Sequence, residues 1–218
     1  MEGLPRRSLA RQLVRRLILV RHGETDWNAA HRLQGAADIP LNDTGRAQAR
    51  ATAPLLAQLA PVTRIVSSDL SRARDTARII ADTMGAEVVT DPRLRERCYG
   101  VWEGMEESVR RSEHGEEHTR WERGLEPRVE GYEGHAAVAE RALAAVAEHA
   151  HADGTHMLVA HGSTIRVLMC ALLGLELGSR SIGTLGNARW AELHHTGDDA
   201  SGHWVLRELN AVGDTVLA

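Results

Sequence analysis

Two short stretches place histidine in the same setting. Leu17-Ile18-Leu19-Val20 runs straight into Arg21-His22-Gly23, and Met157-Leu158-Val159-Ala160 runs straight into His161-Gly162-Ser163. Arg72, after Ser67-Ser68-Asp69-Leu70-Ser71, and Glu96, in Leu94-Arg95-Glu96-Arg97, complete a set of side chains suited to one kind of chemistry. Two guanidiniums can each fork onto a phosphoryl group. An imidazole beside them can attack phosphorus. Its ordinary pKa of ~6.5 makes the neutral, nucleophilic form available near neutral pH. A second imidazole, if protonated, would add positive charge where the transferring oxygens sit. Phosphoryl transfer needs mostly positioning and charge stabilisation, so such a set works without a metal. Glu96 is the candidate acid for the departing alcohol. Glu103, Glu106 and Glu107 lie close enough in sequence to compete for that role.

These residues need elements to carry them. A short apolar run closed by glycine reads as a buried strand of a parallel sheet, and open α/β sheets place their chemistry at the C-terminal strand ends. The first strand is expected at Leu17–Arg21. A polar loop follows from His22 to Asn42, and at about 20 residues such loops tend to be functional. A helix opens at Asn42-Asp43-Thr44-Gly45, with Asp43 or Thr44 as its cap, and carries Ala47, Ala51, Leu55, Leu56 and Leu59 at helical spacing. Strands are expected at 64–68, 87–90, 156–160, 188–193 and 203–209, the last two joined by a hairpin turn through Gly197-Asp198-Asp199. Helices are expected from Ser71 to Ile80, Ala136 to Ala150 and Ser163 to Leu173. Alternation of strand and helix gives an α/β fold with a mainly parallel sheet. Residues 1–16 read as an N-terminal extension. Residues 17–218 read as one domain, with a charged, mobile helical insert at about 105–134 lying over the site.

Composition narrows the class. The chain has 218 residues, 43% of them apolar, enough for a single core. The formal net charge is -4, so no nucleic-acid partner is indicated. All 26 basic residues are arginine, a bias that coding composition explains except at particular anion-binding positions. Two isolated cysteines, Cys98 and Cys170, imply no disulfide framework and fit a reducing cytosol. No stretch approaches the ~18 apolar residues of a membrane span, and the basic stretch 6–16 lacks the apolar run of a secretory signal.

The motifs also resemble a known family. Arg21-His22-Gly23-Glu24-Thr25 with Trp27-Asn28 comes first, then Ser67-Ser68-Asp69-Leu70-Ser71-Arg72-Ala73. Leu94-Arg95-Glu96 with Gly100-Val101-Trp102-Glu103-Gly104 and finally Ala160-His161-Gly162 complete the order, between about residues 17 and 173. In type and sequence they are similar to the histidine phosphatase superfamily, the phosphoglycerate mutase-like group. The resemblance implies a three-layer α/β sandwich with helices flanking a mainly parallel central sheet. It implies that His22 becomes phosphorylated, that Arg21, Arg72 and His161 bind the phosphoryl group, and that Glu96 donates the proton. Asn28 and Gln34 are then substrate or phosphate ligands, and Gly35, Arg97 and Ser163 join them as substrate-binding candidates. The partner is a small phosphomonoester; no cofactor, metal, nucleic acid or membrane is implied, and a homodimer is left open. Leu33-Gln34-Gly35-Ala36 and His161-Gly162-Ser163-Thr164 depart from the Gly-Trp and His-Gly-Asn-Ser patterns of cofactor-dependent mutases, which favours hydrolysis over mutase action. Glu96-Arg97-Cys98-Tyr99-Gly100 keeps a mutase-like feature. The tail, Leu185-Gly186-Asn187-Ala188-Arg189-Trp190 with Trp204-Val205-Leu206-Arg207, is similar to that of glucosyl-3-phosphoglycerate phosphatases.

Two readings of other classes remain. His114-Gly115-Glu116-Glu117-His118 matches the H-x-x-E-H order of some zinc peptidases. On one helix His114 and His118 would share a face, but Gly115 weakens that helix and the flanks are polar, so a solvated charged segment is expected. A non-catalytic phosphate-binding module would require the role of His22 or Glu96 to be lost, and both residues are present.

Overall fold

The computed structural model describes residues 15–59, 61–150, 154–197 and 202–211. Most of the N-terminal extension, His151 and the tip of the C-terminal hairpin lie outside them. The strands are β1 (Arg15–Arg21), β2 (Arg64–Ser67), β3 (Glu87–Thr90), β4 (Gly154–Ala160), β5 (Trp190–Thr196) and β6 (His203–Ala211). The helices are α1 (Asp26–Ala29), α2 (Asp43–Leu59), α3 (Ser71–Met84), α4 (Glu107–Glu113), α5 (Gly115–Glu122), α6 (His135–His149) and α7 (Gly162–Leu172). One sheet runs in the order β3-β2-β4-β1-β5-β6. Its first four strands are mutually parallel, and the C-terminal hairpin adds two antiparallel strands beside β1.

The apolar run of β1 is continuous because both of its faces are buried. Leu17 and Leu19 pack with Ala142, Val146, Ile165 and Leu168 from α6 and α7. Ile18 and Val20, pointing the other way, pack with Ala53, Leu56, Ala77 and Ile80 from α2 and α3. Each fully buried aliphatic side chain of this kind contributes roughly 1.5–3 kcal/mol. The three layers expected from the family resemblance are therefore present.

Several boundaries move, each for a local reason. β1 begins two residues early, at Arg15, because Arg16 forks onto Glu192 of β5 through Nε and Nη2, both at 2.6 Å. The cap of α2 is Asn42, not Asp43 or Thr44: its Oδ1 accepts from Gly45 N at 2.8 Å. The long loop after β1 carries the short α1, closed by a reciprocal capping box between Thr25 and Asn28. The charged insert has an apolar inner side. Trp102 is fully buried there, with Trp121 and His118 set edge-on to its ring at 6.3 and 6.4 Å. His118 is 2% exposed, so the expectation of a solvated segment fails at that residue.

Candidate active site

Parallel register brings the motifs together. Arg21 of β1 is level with Ala160 of β4, and Ser67 of β2 with Val159. His22 N donates to Ala160 O at 3.0 Å and Ser68 N to Val159 O at 2.9 Å. His22, Ser68 and His161 thus leave the same edge of the sheet, and Arg72 follows in the first turn of α3.

The hydrogen bonds fix the state of each ring. His22 Nδ1 lies 2.6 Å from Gly23 O. A carbonyl oxygen only accepts, so Nδ1 carries the hydrogen and Nε2 keeps its lone pair. Burial pushes the His22 pKa well below its ordinary value, and Arg72 and Arg21 push it further. His161 is engaged from both sides. Arg72 Nε donates to its Nδ1 at 3.2 Å, which leaves Nε2–H to donate to Ser68 Oγ at 2.8 Å. Its pKa is also held well below the ordinary range, first by burial and then by Arg72, His22 and Arg21. The protonated His161 entertained from the sequence is therefore absent from this state: both rings, 5.1 Å apart, are neutral.

Arg72 is fully buried and spends a nitrogen on each of three acceptors: His161, Ala37 O at 2.7 Å and Gly35 O at 2.8 Å. Burial pushes its pKa down to about 10, against the opposing pull of Glu96. Arg21 donates Nη1 to Leu185 O at 2.6 Å, while its buried Nε has no hydrogen-bond partner. Glu96 reaches the N-terminus of α7. Oε1 accepts from Thr164 N, Thr164 Oγ1 and Arg97 N at 3.0, 3.1 and 2.8 Å, and Oε2 accepts from Ser163 N at 3.0 Å. A carboxylate at a helix N-terminus also meets the positive end of the dipole.

A cavity of about 210 Å³ opens here, with Arg21, His22, Asn28, Gln34, Glu96 and Ser163 on its wall. Gln34 is buried with Oε1 unpartnered. Asn28 Oδ1 accepts from Thr25 N, Thr25 Oγ1 and Asn187 Nδ2, all at 3.2 Å, so its own amide nitrogen is the group offered to the cavity. Gly35 also borders the cavity, but its identity has another cause. Its φ is +56°, and a Cβ there would sit 2.1 Å from Glu103 Oε1. Glu103 itself accepts from Ala36 N and Tyr99 N, each at 3.0 Å. Glu106 pairs with Arg32 and Glu107 with Arg111, so of the four carboxylates considered only Glu96 faces the cavity.

Three predicted site residues are absent from the cavity lining: Arg72 and His161, fully buried but tied to each other beside His22, and Arg97, which is turned away. Arg97 does not line the cavity; it is fully buried, its Nη1 donates to Tyr132 Oη, and its guanidinium lies 5.0 Å from the Tyr132 ring centre. Glu96 turns toward α7, so the next side chain points away. Tyr99, Trp121, Arg166 and Arg180 line the cavity and were not singled out from the sequence. Tyr99 follows Glu96 in a run already quoted, whereas Trp121, Arg166 and Arg180 come from the insert, α7 and the segment after it, and no short motif joins those three.

The zinc-peptidase pattern does not assemble. His114 caps α5 at φ -129° instead of lying inside a helix, and its ring goes to Trp102 at 5.9 Å. The metal-competent group among the described residues is Glu107, His118 and Glu122, without His114. Arg111 Nη2 already bridges its two carboxylates at 3.0 and 3.1 Å.

Two neutral histidines gather with Arg21 and Arg72 at the C-terminal edge of a mainly parallel sheet, an arrangement suited to a phosphorylated ligand. Residues 17–211 match the model of the histidine phosphatase superfamily (branch 1), and the chain belongs to that family. A glucosyl-3-phosphoglycerate phosphatase of Mycolicibacterium vanbaalenii is 41% identical over 190 residues, covering 83% of this chain and 84% of that one. A probable phosphoglycerate mutase of an Enterobacter species is 40% identical over 160 residues, 72% of this chain and 74% of that one. The solved structure of a mycobacterial glucosyl-3-phosphoglycerate phosphatase with VO3 superposes with a TM-score of 0.82 at 37% identity, covering 91% of this chain and all of that one. Family, fold and relatives together make this an enzyme of phosphatase type.

Proposed function

We infer that the chain is a metal-independent phosphomonoester hydrolase working through a phosphohistidine at His22. The observation that carries this reading is the pinned tautomer: Nδ1 held by Gly23 O leaves a neutral Nε2 beside Arg21 and Glu96. In the first step Nε2 attacks phosphorus, the P–N bond forms and the P–O ester bond breaks. Glu96 delivers a proton to the departing alcohol. In the second step Glu96 takes a proton from water, which attacks phosphorus and frees His22. Arg21 and Arg72 hold the phosphoryl oxygens. His161 joins them once an incoming dianion raises its affinity for a proton. Asn28, Gln34, the Gly35 backbone and Ser163 border the bound ester, and the insert at 105–134 covers it. The substrate is a small phosphorylated metabolite of sugar-phosphate or phosphoglycerate type, a reading supported by the relatives named for glucosyl-3-phosphoglycerate. A cytosolic setting is supported by two free cysteines, one buried. No helix among the described residues is long and apolar enough to cross a membrane.

Brief incubation with a labelled phosphate donor should leave acid-labile, base-stable label on the wild type and none on His22→Ala. Label that persists in the variant would remove His22 as nucleophile. The relative called a probable mutase motivates a second assay. With 3-phosphoglycerate and its bisphosphate primer, isomer interconversion should be far slower than hydrolysis of the best monoester. Fast, primer-dependent interconversion would make the enzyme a mutase.

A further inference from the structure

We propose that Glu107, His118 and Glu122 form a binding site for one divalent transition-metal ion of the zinc class, which ties α4 to α5. The site is structural. It lies in the insert, takes no part in the chemistry at His22 and does not depend on the hydrolase reading.

The first observation is a buried ring with nothing to bond. His118 is 2% exposed, and neither Nδ1 nor Nε2 has a hydrogen-bond partner. The ring is held by Trp121, stacked at 5.8 Å, and by Trp102, edge-on at 6.4 Å. Buried polar groups are nearly all partnered, so an orphan needs a cause. Nε2 lies 3.6 Å from Glu122 Oε1, too far for a hydrogen bond. It is close to the spacing of two ligands on one ion: with bonds of about 2.0–2.1 Å, neighbours on a tetrahedral zinc stand roughly 3.3 Å apart. One ligand atom from each of Glu107, His118 and Glu122 lies within 4.8 Å of both others, and two long glutamate side chains can close the rest.

The second observation is what sits between the carboxylates. Arg111 Nη2 lies 3.0 Å from Glu107 Oε1 and 3.1 Å from Glu122 Oε1, so a positive nitrogen already marks the place of a cation. That side chain is 61% exposed, and ion pairs so exposed contribute little, so it can leave for water. Arg111 does not reach the imidazole, whereas a metal ion would take its lone pair. One imidazole with two carboxylates suits zinc and its neighbours; calcium and magnesium take oxygen ligands. Glu107 belongs to α4 and the other two ligands to α5, so the ion bridges the break at His114. Trp121, the residue before Glu122, lines the cavity, so fixing α5 also fixes part of the cavity wall.

The experiment uses the full chain stripped of metal. Calorimetry with zinc chloride should show one site per chain. Losing even an outer-shell partner of a metal typically costs 10–100-fold in affinity, so Glu122→Gln and Glu107→Gln should each weaken binding at least about ten-fold. Both side chains are about half exposed, so these variants keep the fold. Arg111→Ala should tighten binding about two- to five-fold, the worth of the exposed pairs it removes. Excess calcium should leave the zinc in place. Zinc should raise the melting temperature of the wild type and not that of Glu122→Gln. Three results overturn the site: no zinc binding, an affinity unmoved by both glutamate variants, or displacement by calcium. The second assigns the zinc to histidines elsewhere, and the third to carboxylates acting without His118. Turnover is read apart from binding. Zinc held at this site with no phosphate release from any ester sinks the hydrolase reading and leaves the site standing. Phosphate release from a chain that binds no zinc does the reverse.

Discussion

At the scale of single residues, Glu96 has two duties that substitution can separate. It faces the cavity and it holds the first turn of α7. In Glu96→Gln one side-chain oxygen can still accept, but the new amide nitrogen must face an N–H. A fully buried donor left unmet costs about 1–3 kcal/mol, and Glu96 is half-buried, so urea unfolding should show a loss at or below the low end of that range. Catalysis should fall unevenly. An alkyl phosphate needs its alcohol protonated, so phosphorylation of His22 should slow by ~10²–10⁴-fold, while p-nitrophenyl phosphate should lose much less. Phosphoenzyme should then accumulate, because the same carboxylate activates water; burst amplitude measures this. Equal slowing on both substrates without accumulation argues for the structural duty alone. The paired histidines carry a pH signature. His22 and His161 both bind protons less readily folded than unfolded. Their neutral burial is therefore fully accommodated above the ordinary histidine pKa of ~6.5, and stability is lost as pH falls below it. Denaturation midpoints measured from pH 7.5 to 5 should drop, and a flat profile would contradict the neutral assignment. The proposed chemistry was legible because His22 and His161 each abut a strand end, while Arg72 and Glu96 were found through the short motifs around them. Arg97 was misplaced because sequence adjacency to Glu96 says nothing about which way a side chain turns.

At the scale of elements, the exit of β1 presses on the first turn of α2. A Cβ on Gly45 would lie 2.1 Å from Glu24 O, and one on Gly23 would lie 2.4 Å from Gly45 O. Helix propensity alone says Gly45→Ala should stabilise by about 1 kcal/mol. The backbone contact says the opposite, with overpacking costs of about 1–3 kcal/mol. We expect destabilisation, together with a fall in kcat as the turn carrying His22 is displaced. A rise in melting temperature would show that the contact relaxes. Strands and long helices could be read from apolar periodicity, since each buries a face against the sheet. The insert could not be read. Its charge is real, but Trp102, His118 and Trp121 make a small aromatic centre, and the break at His114 splits α4 from α5. Side chains so spaced yield no single period, and Arg166, Arg180 and Trp121 converge only in three dimensions.

At the scale of the whole molecule, the formal charge is negative while the cavity is cationic. Activity should survive EDTA, and vanadate should inhibit by resembling the five-coordinate phosphorus of the transition state. Strong EDTA inhibition reversed by zinc, with vanadate inert, would overturn the phosphohistidine route. The position of β1 has a further consequence. Of the described strands it leaves the ribosome first, yet its two neighbours, residues 154–160 and 190–196, are made much later. The nascent chain thus carries an apolar strand with both edges open while the residues between Arg21 and Gly154 are made. Contacts this distant in sequence slow folding and lengthen exposure to aggregation. A chain stopped at Asn187 would keep every proposed catalytic residue and still leave one edge of β1 bare. It should appear in the pellet on expression, whereas recovery of soluble, active truncated protein would show that the C-terminal hairpin is dispensable to the sheet.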